Sequence, residues 1–379
     1  MQDFEREAAR CVFVGIKGKT PAPEEIELLK RGVGGVILFT RNVQDPAQVA
    51  ELSKELKQAA GGPLIVSIDQ EGGRVQRLRQ PFWTEWPSMR RLGELDEAGG
   101  ILGLNGTALA EKVGRLIGRE LAACGIDLDY APVVDVDTNP RNPVIGDRSL
   151  SRDPKRVARL GVALAKGLGA SGVAACFKHF PGHGDTSQDS HQTLPRLAHD
   201  KSRLWEVELV PFVAAARAGV PTVMTAHVRF EAFDRLPATL SPVSLELLRK
   251  DVGYQGCCIS DDLEMKAISE HWGVPDAAEL AISAGCDAVL VCHTLRDQHD
   301  AIDAIARGAR SGPLSRPRLA EAAARVLELQ QKFARAAGSI DPMAAGAACG
   351  TEEHKHFAAQ LADPSLFVDK RLDPTERRA

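Results

Sequence analysis

Short apolar segments alternate with longer amphipathic segments along most of the chain, a pattern typical of successive strand and helix units in a parallel sheet. Eight segments have the composition of buried strands: CVFVGI from Cys11, GVILF from Gly35, PLIVSID from Pro63, LDYAPVVDV from Leu128, VAACFKHF from Val173, TVMTAH from Thr222, CCISDD from Cys257 and AVLVCH from Ala288. Eight such units predict a single α/β domain of the (β/α)8, TIM-barrel type, with room for irregular strand order or an added C-terminal helix and tail.

The segments between the strands have helical signals. In DPAQVAELSKELKQAA, for example, Asp45 is a predicted N-cap and Pro46 a predicted first helical residue. Residues 317–336 have apolar positions at helical spacing and predict a final packing helix. We therefore expect a catalytic barrel over residues 1–338 and a peripheral tail over 339–379, with a short helix near residues 354–361.

Composition narrows the class of protein. The 379 residues are 44% hydrophobic and 26% charged with a net charge of -4, which gives no basic surface for nucleic acid. The first residues are charged where a signal peptide would be apolar, and no run approaches 18 apolar residues, so we expect a cytoplasmic protein with no membrane partner, and a monomer. The eight cysteines, mostly in or beside the strand segments, are expected to be buried free thiols.

Polar residues recur where the apolar segments end. In a closed barrel the carboxyl ends of the strands meet on one face, where barrel enzymes place their chemistry. The residues in such positions are Asp69, Asp135, Lys178, His179, His227, Asp261 and His293.

The segment KHFPGHGDTSQDSH, residues 178–191, is the richest in chemistry, and two functional interpretations compete for it. One is a metal site, with nitrogen and oxygen ligands from His179, His183, Asp185 and His191. Its spacing is not diagnostic, because the proline and glycines of this segment predict a loop and not a helix.

The other interpretation is an acid/base dyad. Residues two apart in an extended loop project to the same side, so Asp189 can accept a hydrogen bond from one nitrogen of His191 while the other nitrogen moves a proton. A histidine with a pKa near neutrality could donate that proton to a leaving group and later take one from water.

Two further strand ends have candidate carboxylates. In ISDDLEM, Asp261 follows the strand first and is expected to point into the barrel mouth, while Asp262 is the better N-cap for a following turn. In SIDQEGGRVQRL, Asp69 could accept two sugar hydroxyls, and Arg74 and Arg77 could supply forked donors. The glycines there lack the GxGxxG spacing of a phosphate-binding loop.

The segment after the fourth strand, DVDTNPRNPVIGDRSL, is dense in turn formers and includes Arg141 and Arg148. Turn chemistry accounts for its Asn-Pro pairs. It does not account for an arginine after IGD, so Arg148 is a candidate for binding a ligand.

Together, KHFPGHGDTSQDSH, SDDLEM, SIDQEGGRVQRL and NPVIGDRSL resemble the family 3 glycoside hydrolases of the β-N-acetylglucosaminidase branch that recycles bacterial peptidoglycan. The resemblance runs from about Val12 to Phe333 with the motifs in the same order. Leu150 stands where a phenylalanine is common in that family, and the chain beyond Phe333 has no counterpart in it.

The resemblance implies a role for each matching residue. Asp261 matches the nucleophile, His191 the general acid/base, and Asp189 the carboxylate that orients this histidine. The positions that match residues holding the N-acetylglucosamine ring are Asp69, Arg77, Arg148, Lys178 and His179. It also implies retaining hydrolysis of N-acetylglucosaminyl-1,6-anhydro-muramyl compounds through a covalent glycosyl-enzyme, with no metal or cofactor.

Three alternatives stay open from the sequence. One is the same mechanism with phosphate as the acceptor, which would make the protein a β-N-acetylglucosaminide phosphorylase. A second is a metal-dependent hydrolase that uses the histidine-rich loop. A third, a sugar-binding barrel without catalysis, is disfavoured because the proposed nucleophile and dyad are all present.

Overall fold

The computed structural model describes residues 3–188, 190, 193–363 and 365. Eight parallel strands close into a barrel and follow one another around it in chain order, so the predicted (β/α)8 fold is confirmed with regular strand order. The strands are β1 Val12–Gly15, β2 Gly35–Leu38, β3 Ile65–Ile68, β4 Leu128–Asp129, β5 Ala174–Phe180, β6 Thr222–Thr225, β7 Cys257–Asp262 and β8 Ala288–Val291. Closure is made where β1 pairs with β8, with Phe13 opposite Leu290.

Helices follow the strands and cover the outside of the barrel. In the described part of the chain they are α1 Asp3–Arg10, α2 Pro23–Lys30, α3 Pro46–Ala60, α4 Arg90–Glu97, α5 Gly106–Ala123, α6 Pro154–Ala170, α7 Lys201–Glu206, α8 Val210–Ala218, α9 Pro242–Glu246, α10 Lys266–Ser269, α11 Val274–Ala284, α12 Leu295–Ser311, α13 Arg316–Phe333, α14 Pro342–Ala348 and α15 Glu352–Ala362. Two small sheets add an antiparallel hairpin, Gln70–Gly72 with Val75–Gln76, and a parallel pair, Arg196–Leu197 with Arg229–Phe230. No helix in these described ranges is long and apolar enough to cross a bilayer.

Helix α3 illustrates how local sequence sets an element. The Asp45 side chain accepts a hydrogen bond from the backbone N–H of Gln48, and Pro46 occupies the first turn, both as predicted. The helix ends at Gly61, whose φ of 62° favours glycine. Its buried face includes Leu52. Replacing the Asp45 cap with alanine costs about 1 kcal/mol in comparable helices.

The fourth strand is shorter than its sequence predicts. Regular pairing covers only Leu128–Asp129, although the apolar segment continues to residue 136. Pro132 has no N–H to donate and interrupts the ladder. Beyond it the backbone N–H of Val134 donates to the carbonyl of Lys178 at 2.8 Å, so the segment still runs beside β5 and delivers Asp135 to the carboxyl end of the barrel.

The barrel has an inner and an outer core, because successive strand residues point to opposite faces. Side chains such as Phe13, Ile65 and Met224 form a buried cluster that includes the strand residues facing the interior. The outward-facing residues join the larger cluster with the helices. All eight cysteines are buried and free, as predicted.

The described helices after Gly338 pack against the helices of the barrel. Helix α14 contacts α3 and α5, and α15 contacts α4. The buried carboxylate of Glu120 in α5 accepts hydrogen bonds from Nδ1 of His354 at 2.9 Å and from the backbone of Gly350 at 2.9 Å. The helix expected near residues 354–361 is α15, whereas the division of the chain at residue 338 stays a prediction.

Candidate active site

A cavity of about 220 Å³ opens at the carboxyl end of the barrel strands. Barrel enzymes carry their active sites on this face. The predicted residues that line it are Asp69, Arg77, Arg148, Lys178, His179 and Asp261. The fold thus brings together residues that lie up to 192 positions apart in the chain, from 69 to 261.

One wall of the cavity is a network of buried opposite charges. Nζ of Lys178 lies 2.8 Å from Oδ1 of Asp69 and 2.7 Å from Oε1 of Glu71. The guanidinium of Arg148 donates two hydrogen bonds of 2.8 Å to the two oxygens of Glu71. Arg77 reaches Asp69 at 3.2 Å. This charged wall, Asp69, Glu71, Arg77, Arg148 and Lys178, offers fixed donors and acceptors to the hydroxyls of a ligand.

The charges on this wall stabilise one another. Burial alone would raise the pKa of Glu71, but Arg148 and Lys178 outweigh it and hold the pKa below its usual value. Burial would likewise lower the pKa of Lys178, yet Asp69 and Glu71 raise it overall. At neutral pH these groups are therefore ionised, and removing Glu71 would leave the buried guanidinium of Arg148 without its carboxylate partner.

Glu71 was not among the residues predicted from the sequence. It lies two positions after Asp69 in an extended segment, so the two carboxylates project to the same side of the backbone. That spacing was the available signal. Arg74 and Arg141 show the opposite outcome, because neither lines the cavity. Nη2 of Arg74 donates to backbone carbonyls at Val144 and Ile145.

His179 is oriented by a carboxylate beneath it. Its Nδ1 lies 2.7 Å from Oδ2 of Asp135. The other oxygen of Asp135 accepts the backbone N–H groups of His179 at 3.1 Å and His183 at 2.6 Å. Burial raises the pKa of Asp135, but His179 outweighs this effect and lowers it overall. The ionised carboxylate accepts the Nδ1 proton, so Nε2 is the nitrogen with which His179 could contact a ligand.

Asp261 and Asp262 end strand β7 and play different structural parts. Among the described residues, the Asp261 carboxylate accepts a short-range bond from the backbone N–H of Asp262 at 2.8 Å. Burial would raise its pKa, but the neighbouring groups, with His179 first among them, outweigh burial and lower the pKa overall. Asp262 accepts the backbone N–H of Glu264 at 3.1 Å, which agrees with its predicted role in capping the turn. Asp261 is thus an ionised carboxylate on the cavity, as a nucleophile must be.

His227 is fully buried beside this strand end, and its hydrogen bonds define its tautomer. Nε2 lies 2.9 Å from the carbonyl oxygen of Asp262, which can only accept, so Nε2 bears a proton. Burial lowers the pKa of His227, so the ring is neutral and Nδ1 accepts from the hydroxyl of Thr239 at 2.8 Å. The sequence indicated the position of His227 at a strand end but no role. The structure shows that it holds the end of β7.

The predicted dyad residues, Asp189 and His191, lie outside the described residues. Ser190, between them, lines the cavity and lies 3.1 Å from Nε2 of His183. Nδ1 of His183 lies 2.7 Å from the hydroxyl of Thr186. The described part of the loop is therefore anchored on the cavity through His183.

These contacts bear on the metal interpretation, which used His179, His183, Asp185 and His191. Both ring nitrogens of His183 have hydroxyl partners, and Asp185 is paired with His199 and accepts from Thr138 at 2.9 Å. In the described ranges no group of three or more His, Cys, Asp or Glu residues is arranged to hold a metal ion. Two of the four proposed ligands are thus engaged elsewhere.

Comparison with known proteins agrees with this geometry. The model of the glycosyl hydrolase family 3 N terminal domain matches residues 8–329, and the chain belongs to that family. A β-hexosaminidase of Neisseria meningitidis is 45% identical over 271 residues, which are 71% of this chain and 74% of the relative. The predicted class, a glycoside hydrolase of the β-N-acetylhexosaminidase type, is therefore confirmed.

Two solved structures extend the comparison. A family 3 β-N-acetylglucosaminidase from Paenibacillus superimposes with a TM-score of 0.87 at 40% identity, covering 96% of this chain and 68% of that chain. NagZ from Neisseria gonorrhoeae superimposes with a TM-score of 0.78 at 36% identity, covering 93% of this chain and 98% of that one. The similarity therefore covers nearly the whole length of the Neisseria gonorrhoeae protein.

Proposed function

We propose that this protein is a retaining exo-β-N-acetylglucosaminidase that releases N-acetylglucosamine from N-acetylglucosaminyl-1,6-anhydro-N-acetylmuramic acid and its peptides during peptidoglycan recycling. The relatives support the identity of the sugar, because they are β-hexosaminidases and a β-N-acetylglucosaminidase. The identity of the aglycone rests on the motif resemblance. The cytoplasmic location and the monomeric state stay predictions.

One observation carries this proposal: the ionised carboxylate of Asp261 lines the same cavity as the charged wall. The cavity, at about 220 Å³, is smaller than the roughly 300–1,000 Å³ of pockets for drug-sized ligands. A space of this size suits one terminal sugar ring, as exo cleavage requires. In the proposed complex the hydroxyls of that ring bind Asp69, Arg148 and Lys178.

In the first step, Asp261 attacks the anomeric carbon while the bond to the aglycone oxygen breaks through an oxocarbenium-like transition state. His191 gives its proton to the departing oxygen and becomes neutral, and the sugar remains as an ester on Asp261. In the second step, His191 takes a proton from water, which attacks the anomeric carbon and restores the carboxylate. Asp189 stabilises the charged form of the histidine, which is present before the first step and is restored by the second.

The stereochemistry of the first-formed product tests this proposal. Two inversions at the anomeric carbon give net retention, so NMR spectra taken within the first minutes should show β-N-acetylglucosamine before mutarotation produces the α anomer. Early appearance of the α anomer would exclude the glycosyl-enzyme. Adding phosphate distinguishes hydrolysis from phosphorolysis. If N-acetylglucosamine 1-phosphate were then the main product, the protein would be a phosphorylase.

A further inference from the structure

A second part of the cavity lining, which meets the charged wall at Arg77, is built differently. It includes Phe39, which directly follows β2, and His293, which lies two residues after β8. The side chain of Lys178 on the charged wall is 3% exposed, whereas that of His293 is 50% exposed. Phe39 is also partly exposed. These two rings, the aromatic wall, therefore lie nearer the mouth of the cavity than the charged wall does.

Contacts between its two rings and with Arg41 fix the position of the aromatic wall. The two ring centroids are 5.3 Å apart and their planes are tilted by 38°. The guanidinium of Arg41 lies 4.3 Å from the centroid of Phe39 and donates to the backbone carbonyls of Ile16 at 2.9 Å and Cys292 at 2.7 Å. With Arg41 anchored to two strand ends, the ring of Phe39 has a fixed neighbour and a defined orientation.

His293 is fixed through the segment after β7. Its Nε2 lies 3.2 Å from Oδ2 of Asp262, and its backbone N–H donates to Oε2 of Glu264 at 2.5 Å. The exposed ring of His293 is therefore positioned by the same turn that follows Asp261. A ligand that contacts this ring is held close to the reacting carboxylate.

We propose that Phe39 and His293 form the binding subsite for the leaving sugar, the aglycone, by packing against its apolar C–H face. This inference rests on the proposed glycosidase function. The buried charged end of the cavity suits the hydroxyls of the terminal sugar, which enters first. The second sugar must then lie at the mouth, where preformed aromatic surface is available for burial.

The test compares two substrates that share N-acetylglucosamine but differ in the aglycone. N,N'-diacetylchitobiose has a second sugar ring, and methyl β-N-acetylglucosaminide has only a methyl group. We expect Phe39→Ala to lower kcat/KM for chitobiose about tenfold, equivalent to about 1.4 kcal/mol. The loss for the methyl glycoside should be several times smaller. His293→Asn should shift the same ratio in the same direction.

Phe82→Ala is the matched control, because Phe82 is 45% exposed and does not line the cavity. Inhibition by free N-acetylglucosamine reports on the terminal-sugar site. Equal losses of kcat/KM on both substrates, or weaker inhibition by N-acetylglucosamine in Phe39→Ala, would contradict the proposed subsite. Unchanged kinetics in both Phe39→Ala and His293→Asn would also contradict it. If the wild-type protein hydrolysed neither substrate, the proposed function itself would fail instead.

Discussion

The two ends of the barrel both contain buried carboxylates paired with cations, but these carboxylates differ in their contacts with the described residues. At the amino end, Asp287 is fully buried and accepts from Arg318 at 2.7 Å, Arg325 at 3.3 Å and the backbone N–H of Cys258 at 2.9 Å. At the carboxyl end, Asp261 lines an open cavity and, among the described residues, accepts the backbone N–H of Asp262. Pairing of charges by itself therefore does not identify a functional carboxylate.

Asp127 strengthens the contrast. Like Asp287 it lies at the amino end, where its carboxylate pairs with the buried amine of Lys57 and with Arg335 at 3.1 Å. One of its oxygens also accepts the backbone N–H of Val66 at 3.0 Å. Each of these two carboxylates joins strands to the helices outside them. We infer that the amino end provides stability and that the carboxyl end provides chemistry.

The largest expected effect is on Asp261. Asp261→Asn keeps the shape of the side chain but removes its nucleophilic charge, so kcat should fall by a factor on the order of 10⁴. The midpoint of thermal unfolding should stay within about 2 °C, because few protein contacts depend on that charge. Asp262→Asn is the neighbouring comparison and should lose far less activity, since its carboxylate caps a turn and pairs with His293. Near wild-type turnover in Asp261→Asn would contradict its role.

Asp287→Ala should show the reverse behaviour. It leaves Arg249, Arg318 and Arg325 without their shared carboxylate, and breaking a buried ion pair in this way costs about 3–5 kcal/mol. Urea denaturation should show that loss, while KM of the folded fraction stays within about twofold of the wild-type value. A large rise in KM with unchanged stability would break the distinction between the two ends.

Glu71→Gln should affect the charged wall. The substitution keeps the size of the side chain but leaves Arg148 and Lys178 with less compensation, so the position of both cations would change. We expect kcat/KM to fall by about two to three orders of magnitude, or roughly 3–4 kcal/mol. Kinetics at saturating and limiting substrate would show whether the loss lies in binding. Unchanged kcat/KM would mean that this wall does not contact the sugar.

The smallest expected effect is the dependence of stability on pH through His183. Burial, together with the nearby His179, lowers the pKa of His183 from 6.5 to about 4. The folded-state pKa is below the unfolded value, so this contribution is fully present above about pH 6.5 and is lost as the pH falls towards 4. From pH 6.5 to 5 the loss should be about 1–2 kcal/mol. The free energies of unfolding of the wild type and of His183→Gln should converge as the pH falls over this interval. Parallel curves of unfolding free energy against pH would contradict the role of His183.

The sequence predicted the barrel and most of the cavity for identifiable reasons. Every strand segment was bounded by polar or turn residues, and the carboxyl ends of parallel strands must converge, so Asp69, Lys178, His179 and Asp261 could be grouped from the sequence alone. Glu71 and the role of His227 were missed, because each depends on a partner far away in the chain. Arg148 reaches Glu71 from 77 positions away, and His227 reaches Asp262 from 35. Such pairings are fixed by tertiary packing and not by local pattern.

Covalent trapping tests the central claim, that Asp261 is the nucleophile, most directly. A fluorinated N-acetylglucosaminyl donor with a good leaving group should form a glycosyl-enzyme that breaks down slowly, because fluorine destabilises the oxocarbenium-like transition state of the second step. After proteolysis, mass spectrometry should find one added sugar on the peptide with Asp261, and no label in Asp261→Asn. A label on Asp262 or another carboxylate, or no covalent adduct under conditions in which the donor is turned over, would contradict the account.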